Sequence, residues 1–478
     1  MRDIFFARHF GLTPAADAFT AAFFAADFAG NTVMGAVLSV VTVTFLTGTR
    51  AGTGGDERRA RPLAPLVAAV SWASALLAAS LAVTAPLWIR LVGASLAGPA
   101  RQSAVEALRW LSLHAFAAPL SAVLAASLQV SGRFALAAAA PLWLTAALVS
   151  GPLIFGPQRD VPGLAAWVAG GSLCVLGTLA AGAVVQGSLR PRRPTSTELR
   201  DLAGLGAPIA VWYVLSQAGQ VVDRTFAGGL GSGQLAALTY AWRFAQAPVW
   251  IFAAAVGTVL FPSLARRGLR GDVESRRLLD RGVRLLTLGA VPLVPFWSAY
   301  ARPVLRWLLA HGVLTAGEAD RVAGVLAVYA AGLPAAMLAV LFFRALMAAG
   351  RLRRAAAIAG LALCLQAAGD AWASARWGLA GIAGAGVAVQ WLGALLAGLA
   401  VAKELGEPAL ILRSWLGGLG IAAAAALPPA AIWLLGARAA AGGDWGWPLA
   451  GGAAAYLLVA GLAVWRDRDR ASRPPAGA

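Results

Sequence analysis

Long apolar runs recur along the whole chain and are separated by short segments rich in arginine, glycine and proline. Each run has about the 20 residues that a helix needs to cross the roughly 30 Å hydrocarbon core of a bilayer. The runs predict membrane-spanning helices near 16–47, 63–90, 104–128, 134–155, 162–188, 204–228, 235–263, 284–309, 322–349, 355–374, 378–402, 411–436 and 447–465. The pattern indicates an all-α integral membrane protein with about 13–14 transmembrane helices.

The first apolar segment, residues 1–10, is too short to span, because a helix of this length reaches only about 15 Å. It precedes Gly11-Leu12-Thr13-Pro14, which predicts a turn on the outer side. The segment lacks the charged start and cleavage site of a signal peptide. We interpret it as the outer half of a first helix whose inner half is absent, through truncation or a wrongly assigned start.

The composition excludes a soluble multidomain enzyme. Of the 478 residues, 59% are hydrophobic and 13% are charged, whereas soluble proteins carry about 25% charged residues. The two cysteines, Cys174 and Cys364, lie inside apolar runs and indicate no disulfide framework. The net charge of +18 raises the question of nucleic acid. No loop is long enough for a basic binding domain, so we expect no nucleic-acid partner.

Basic residues are distributed unevenly between the two sets of alternate loops. Loops 48–62, 189–203 and 265–283 belong to the set that carries most of the arginines. The opposite loops hold only Arg90, Arg101, Arg159, Arg321, Arg376 and Arg438. Because cytoplasmic loops are enriched in Lys and Arg, the first set is predicted to be cytoplasmic, and the C-terminus with it.

Two stretches of the chain resemble each other at a fixed offset of 220 residues, 3–30 and 223–250. The matching positions include Asp3 and Asp223, Phe6 and Phe226, Ala7 and Ala227, and Gly11 and Gly231. An even number of predicted helices separates the copies, so both have the same orientation. The repeat predicts two pseudo-symmetric six-helix lobes, related by an axis along the membrane normal, with a site between them.

Some charged side chains fall inside predicted spans, where each costs roughly 2.5–3.5 kcal/mol at the bilayer centre. Arg243 lies about 12 Å from the start of its span, too deep to reach the membrane surface easily. Arg243 therefore either binds a ligand in a cavity or forms a structural ion pair with an Asp. Asp17 either contributes to a site or caps its own helix.

Three further groups of polar residues allow structural explanations. A structural ion pair with Arg2 or Arg8 would explain the charge of Asp27 inside its span as well as a binding role would. Gln366 and Asp370 are spaced i, i+4 and share a helix face, where oxygen ligands, with Asp223, could hold a hard cation. A hydrogen-bonded structural cluster is the competing interpretation. The histidines are isolated, with no partner at metal-ligand spacing: His9, His114 and His311.

Three stretches carry a family resemblance. The first comprises Arg2-Asp3-Ile4, Ala7-Arg8, Gly11 and Ala16-Asp17-Ala18-Phe19. The second comprises Ser216-Gln217, Asp223, Leu238-Thr239-Tyr240-Ala241-Trp242-Arg243-Phe244-Ala245-Gln246-Ala247-Pro248 and Gly257-Thr258-Val259-Leu260-Phe261-Pro262-Ser263-Leu264. The third runs from Leu308 to Gly312 and on through Tyr329, Gly332-Leu333-Pro334 and Phe343. Together they resemble the lipid II flippase (MurJ/MviN) family of the multidrug/oligosaccharidyl-lipid/polysaccharide exporter superfamily.

The resemblance implies a transporter, not an enzyme, in the bacterial cytoplasmic membrane. Its substrate would be lipid II or a related polyprenyl-linked precursor, exported by alternating access. The family binds the anionic head group in a cavity lined by arginines and a few acids, at positions that match Arg2, Asp17 and Arg243. Gln246 lies beside Arg243 and is added as a candidate contact.

The resemblance also implies partners and a coupling ion. No cofactor is expected, but some relatives bind Na⁺ at positions that match Asp223, Gln366 and Asp370. Membrane lipids and cell-wall synthesis proteins are the other expected partners. By the family pattern, 1–190 is the N-lobe with an incomplete first helix, 200–405 the C-lobe, 408–466 a C-terminal helix pair and 467–478 a cytoplasmic tail.

The sequence departs from the family pattern at two cationic positions. A Ser-Arg pair belongs to the missing half of the first helix, and a family arginine falls near Gly30 or Asn31, where no charge is present. Two alternatives therefore stay open. One is an exporter of another polyprenyl-linked glycan or of drugs, and the other is a non-transporting cell-wall scaffold.

Overall fold

The computed structural model describes residues 2–47, 64–156, 160–185, 196–259 and 273–406, with six single positions beyond them. Every regular element in these ranges is a helix. The first eight are α1 Arg2–Phe10, α2 Pro14–Asp27 with the π-helical segment Phe28–Gly35, α3 Ala36–Thr47, α4 Ala64–Val92, α5 Gly98–Val130, α6 Phe134–Ala139, α7 Leu142–Phe155 and α8 Val161–Val185. The others are α9 Ser196–Gly229, α10 Gln234–Val259, α11 Val273–Ala290, α12 Leu293–Leu309, α13 Ala316–Ala330, α14 Leu333–Ala348 and α15 Leu352–Glu404.

Within the described ranges, seven helical stretches are long and apolar enough to cross a membrane, or eight if the bent pair α13–α14 is one span. They are Pro14–Val43, Leu66–Val92, Gly98–Val130, Phe134–Phe155, Val161–Val185, Val273–Leu309 and Leu352–Glu404. The chain is therefore a multi-pass helical membrane protein. The predicted tail and all of loop 48–62 lie outside the described residues, and so do the predicted spans 411–436 and 447–465 apart from the six single positions.

Residues Arg2–Phe10 form the helix α1, and the predicted turn follows it. Gly11 has φ +60°, a left-handed conformation that glycine adopts without strain. The Thr13 side chain then accepts a hydrogen bond from the Ala16 N–H and caps α2. The C-terminal end of α1 packs closely against Gly156, because a Cβ added there would lie 2.8 Å from the His9 Cβ.

Two predicted spans differ in detail from the structure. The span 322–349 is not one straight helix, since α13 and α14 meet at a 49° bend. Leu333 and Pro334 begin α14, and a proline at this position starts a helix but cannot continue the previous one. The span 16–47 is interrupted by the π-helical segment, which changes the helical register after Asp27.

The helix α15 is an antiparallel hairpin, as the two predicted spans 355–374 and 378–402 require. Its backbone breaks at Gly378, with φ 55° and ψ −133°. The two ends return to each other, because Arg351 Nε lies 2.9 Å from Glu404 Oε2. Close packing of the arms depends on Gly381, where a Cβ would meet the Ala373 carbonyl oxygen.

The chain divides into two compact units, Met1–Thr239 with Leu309–Thr315, and Tyr240–Leu308 with Ala316–Ala478. In the first unit α5 is central and packs against α2, α3, α4, α6 and α8. Leu120, Leu124 and Leu128 on α5 are buried among residues of α4 and α8. The lobe boundaries expected from the sequence stay a prediction.

Candidate functional site

Asp17 does not cap its own helix, which is the alternative considered from the sequence. The cap of α2 is Thr13. The Asp17 carboxylate instead accepts hydrogen bonds from the backbone N–H groups of Gly233 and Ala236, the latter at 2.8 Å. Asp17 is only 2% exposed. It therefore places a negative charge at the N-terminus of α10, where N–H groups lack partners within the helix.

Both repeated stretches turn at a glycine with a positive φ. Gly231 has φ +121° where the first copy has Gly11 at +60°, and α10 begins at Gln234, 220 positions after Pro14 begins α2. The helix end before each turn accepts a bond from a distant loop. Val313 N–H donates to the Arg8 carbonyl at 2.8 Å, and Ser95 N–H donates to the Gly228 carbonyl at 2.8 Å. Arg8 and Gly228 are equivalent at the same offset, so the repeat extends to tertiary contacts.

Asp223 and Arg224 are both buried in the last turns of α9. The Arg224 guanidinium carbon lies 4.1 Å from the centroid of the Phe24 ring, and its Nη1 donates to the Gln220 carbonyl at 3.1 Å. A guanidinium over an aromatic face is stabilised by the ring quadrupole. This contact gives Arg224 a structural role in the first unit.

Arg243 and Gln246 lie one turn apart on α10, at i, i+3 positions that share a face. Both side chains are half-buried. Arg243 is nine residues after the start of α10, which places it about 14 Å along the helix. Polar residues in the interior of a membrane helix are a mark of a functional pathway.

Gln366 and Asp370 are brought together, as their spacing predicts. Gln366 Nε2 donates to Asp370 Oδ1 at 3.1 Å, and Asp370 is fully buried. A Cβ at Gly386 would lie 3.5 Å from Gln366 Nε2, so the second arm of the hairpin offers no side-chain oxygen there. The described residues contain no group of three or more His, Cys, Asp or Glu able to hold a metal. The pair fits the structural interpretation, and sodium binding stays a prediction.

The other predicted site residues are distributed over both units. Arg2 begins α1, but its side chain lies outside the described residues. Asp17 and Asp223 belong to the first unit, whereas Arg243, Gln246, Gln366 and Asp370 belong to the second.

His114 is a polar residue that the sequence interpretation missed, because it was taken as isolated. Its ring lies between Ser172 Oγ, 2.8 Å from Nδ1, and Asp27 Oδ1, 3.3 Å from Nε2. Asn31 Nδ2 also donates to Asp27 Oδ1, at 3.2 Å. Asp27 therefore has His114 and Asn31 among its partners, and its pairing with Arg2 or Arg8 stays a prediction. The available signal was a histidine deep inside the span 104–128, in a chain with few other intramembrane polar residues.

The missing charge at position 30 has a packing explanation. A Cβ at Gly30 would lie 2.6 Å from the Ala115 Cα and 2.9 Å from its carbonyl oxygen. The π-helical segment approaches the backbone of α5 so closely that no side chain fits. An arginine is therefore excluded at position 30 of this chain, while Asn31 beside it is exposed.

The chain is similar in sequence to known flippases. A sequence model of the family described as lipid II flippase MurJ matches residues 6–445. The lipid II flippase MurJ of Burkholderia cenocepacia is 27% identical over 344 residues, covering 70% of this chain and 66% of that protein. A probable lipid II flippase MurJ of Rhizobium tropici is 29% identical over 46% of this chain and 42% of that protein. The alignments thus cover between 42% and 66% of these two relatives.

Solved structures agree on the fold. A lipid II flippase MurJ in an inward closed conformation superposes with a TM-score of 0.75 at 19% identity, over 98% of this chain and 96% of that one. An inward-facing multidrug resistance transporter of the MATE family gives a TM-score of 0.69 at 18% identity, over 86% and 94%. At these identities the likeness shows the fold, and the family model over 6–445 decides between the two groups. The chain belongs to the lipid II flippase MurJ family.

Proposed function

We propose that this protein exports lipid II, an undecaprenyl-pyrophosphate-linked peptidoglycan precursor, across the bacterial cytoplasmic membrane by alternating access. The observation that carries the proposal is Arg243, a half-buried guanidinium about 14 Å along α10, in a chain of this family. Ionisable residues inside membrane helices mark substrate and ion pathways. A guanidinium in such a pathway suits an anionic cargo such as a pyrophosphate.

The chemistry of Arg243 suits a pyrophosphate. Guanidinium presents a planar fork of N–H donors that binds two phosphate oxygens at once, and it stays charged when partly desolvated. Gln246 on the same face adds an amide that donates and accepts, which suits the sugar and peptide groups of the head. We assign the pyrophosphate to Arg243 and a supporting contact to Gln246.

Asp17 has a different task in this proposal from the one expected. Its carboxylate is engaged by the N–H groups at the start of α10, the helix that carries Arg243. We propose that Asp17 positions α10 and does not contact the cargo. A positioning role also makes Asp17 compatible with an anionic cargo. A carboxylate that faced the pyrophosphate directly would repel it.

Drug export is the second candidate, because MATE transporters share the fold and a probable multidrug resistance protein NorM of Deinococcus radiodurans is 32% identical over 43% of this chain. Exporters of cationic drugs need accessible acids. Asp17 and Asp370 are buried and hydrogen-bonded, and the carboxylate of the partly exposed Asp27 is bonded to Asn31 and His114. The proposed anionic cargo agrees better with this distribution.

The test is rescue of a bacterium depleted of its own flippase. The intact chain should restore growth and the appearance of lipid II on the outer face of the membrane. A parallel assay of dye and drug efflux separates the two candidates. Normal efflux of cationic drugs without rescue would contradict lipid II export. We further propose that the loops richest in arginine and the C-terminus are cytoplasmic.

A further inference from the structure

The second unit has a strongly basic end, where the start of α11 and both ends of α15 meet. This basic end comprises residues 273–284, 351–354 and 403–404. Arg276 Nη2 donates to the Leu405 carbonyl at 3.0 Å, and Arg351 Nε lies 2.9 Å from Glu404 Oε2. We propose that the basic end binds the phosphate groups of anionic phospholipids in the leaflet that it faces.

The charge of the basic end is unbalanced. Its three segments contain eight basic side chains and three acidic ones. Two of the acids are already occupied by arginines. Asp280 pairs with Arg284 at 2.9 Å, and Glu404 pairs with both Arg351 and Arg354. The surface therefore keeps an excess of positive charge after its own ion pairs have formed.

Four basic side chains of this surface bond to no other described residue of the chain. All four are exposed: Arg277, Arg281, Arg353 and Lys403. Arg277 and Arg281 lie one turn apart on α11, and like charges at i, i+4 repel each other. An anion bound to both arginines replaces this repulsion with two attractions.

The uncharged runs of the helices place these cations at the level of the lipid head groups. The stretch Val273–Leu309, which is long and apolar enough to cross a membrane, has no charged residue between Arg284 and Arg302. In α15 one uncharged run begins directly after Arg354, and another ends directly before Lys403. The uncharged runs occupy the hydrocarbon core, so the basic residues at their ends lie at its surface. Clusters of arginine and lysine beside membrane helices attract anionic lipids.

The exposed face of α11 fits a whole phospholipid better than a free phosphate. Arg277, Arg281 and Leu285 are spaced i, i+4, i+8 and share this face, and Leu285 is 41% exposed. The face thus changes from basic to apolar within one turn. The guanidinium groups can bind the phosphate oxygens in pairs, while an acyl chain lies along Leu285. A free phosphate would use only the basic half of the face.

The net charge of the head group should decide which lipid binds. A zwitterionic head group carries its own cation, which the arginines repel, whereas an anionic one adds no such repulsion. The basic end is also separate from the proposed cargo residues, since Arg243 and Gln246 lie on α10. Its lipids are therefore a second class of ligand and not the transported one.

The experiment measures the lipid composition beside Leu285. Cys174 and Cys364 are changed to alanine, and a bimane fluorophore is attached to Leu285→Cys in the full-length protein. The nanodiscs contain phosphatidylcholine and phosphatidylglycerol in both leaflets, so the result does not depend on orientation. Bromine atoms on the acyl chains of either lipid quench a nearby fluorophore, and brominating each lipid in turn gives their local ratio. We expect phosphatidylglycerol to be enriched at least about threefold over its bulk ratio.

The variants separate this surface from charge elsewhere in the second unit. Arg277→Gln with Arg281→Gln should remove most of the enrichment. Arg277→Lys with Arg281→Lys should retain it, because attraction at a membrane surface depends mainly on charge. The matched control is Arg302→Gln with Arg321→Gln, which removes two exposed arginines beyond the apolar run and should leave the local ratio unchanged.

Three results would overturn the proposal. They are a local ratio equal to the bulk ratio, enrichment that survives Arg277→Gln with Arg281→Gln, and an equal loss in the matched control. Displacement of phosphatidylglycerol by inorganic phosphate at constant ionic strength would also overturn it, by showing a free-anion site. If the glutamine variant does not fold, a salt series on the protein with both arginines decides. Sodium chloride at 1 M shortens the screening length to about 3 Å and should abolish the enrichment, so enrichment that persists would overturn the proposal.

Discussion

The Asp17 carboxylate accepts a hydrogen bond from the Ala236 backbone N–H at 2.8 Å, across 219 residues of sequence. The contact joins the first turn of α2 to the first turn of α10. The two turns are the equivalent members of the internal repeat. A single buried carboxylate thus connects the two copies at the point where their helices begin.

Replacing Asp17 should destabilise the protein more than replacing a local cap does. Asp17→Ala leaves two buried N–H groups without an acceptor, and each costs about 1–3 kcal/mol. Asp17→Asn keeps one acceptor oxygen and should cost less. The melting temperature of the detergent-solubilised protein measures both changes.

The control for this prediction is Asp160, whose carboxylate accepts only from Gly163 N–H, three residues along the chain. Asp160→Ala should lower the melting temperature less than Asp17→Ala. Equal effects of the two substitutions would show that the contact across the repeat adds nothing beyond an ordinary helix cap.

A pair of adjacent glycines tests the packing of α9 against the C-terminal end of α4. A Cβ at Gly228 would clash with the Val92 carbonyl oxygen, whereas a Cβ at Gly229 meets nothing within 4 Å. Overpacking costs about 1–3 kcal/mol, and a backbone atom cannot turn aside as a side chain can. Gly228→Ala should therefore reduce the yield of folded protein and its melting temperature, and Gly229→Ala should change neither. The interpretation fails if both variants behave alike.

Sodium should act through Asp370 if the predicted ion site exists. A bound ion stabilises the state that binds it, so Na⁺ should raise the melting temperature of the unmodified protein above its value in K⁺. Asp370→Asn should abolish the difference. If the unmodified protein melts at the same temperature in both salts, the Gln366–Asp370 pair is structural only.

The orientation can be tested with cysteine labelling, because the chain has only Cys174 and Cys364. With both changed to alanine, single cysteines in loops 48–62, 189–203 and 265–283 should resist an impermeant reagent added to intact cells. A cysteine at Arg101, on the opposite side by the same interpretation, should react. Labelling of any of the three loops from outside would contradict the proposed orientation.

The sequence predicted the helices well where hydrophobic length and turn residues decide the outcome. The short α1, the turn at Gly11 and the break between the arms of α15 all follow from local signals such as glycine, proline and run length. The pairing of Gln366 with Asp370 also follows, since i, i+4 spacing fixes it. These features depend on residues close together in the chain.

The remaining features depend on tertiary packing. His114 meets Asp27 from 87 residues away, and their distance is set by the π-helical segment and by Gly30, neither of which hydrophobic periodicity reveals. Asp17 was expected at a site or at the cap of α2, and the structure shows its carboxylate bonded to backbone N–H groups at the start of α10. Both contacts join helices whose relative register cannot be calculated from their own sequences.

The most direct test of the proposed transport is the outward movement of lipid II in flippase-depleted cells that express variants of Arg243. Arg243→Lys keeps the charge but loses the fork, so transport should fall partially. Arg243→Ala should reduce it about ten- to hundredfold, the loss expected for a charged hydrogen bond of about 1.5–3 kcal/mol.

The matched control is Arg376, an exposed arginine. Its guanidinium lies over the ring of Trp372, four residues earlier in the same helix. Arg376→Ala should transport lipid II at the unmodified rate, with membrane levels of all variants measured in parallel. Transport should be highest for the unmodified protein and Arg376→Ala, lower for Arg243→Lys and lowest for Arg243→Ala. Full transport by Arg243→Ala at a normal membrane level would contradict it.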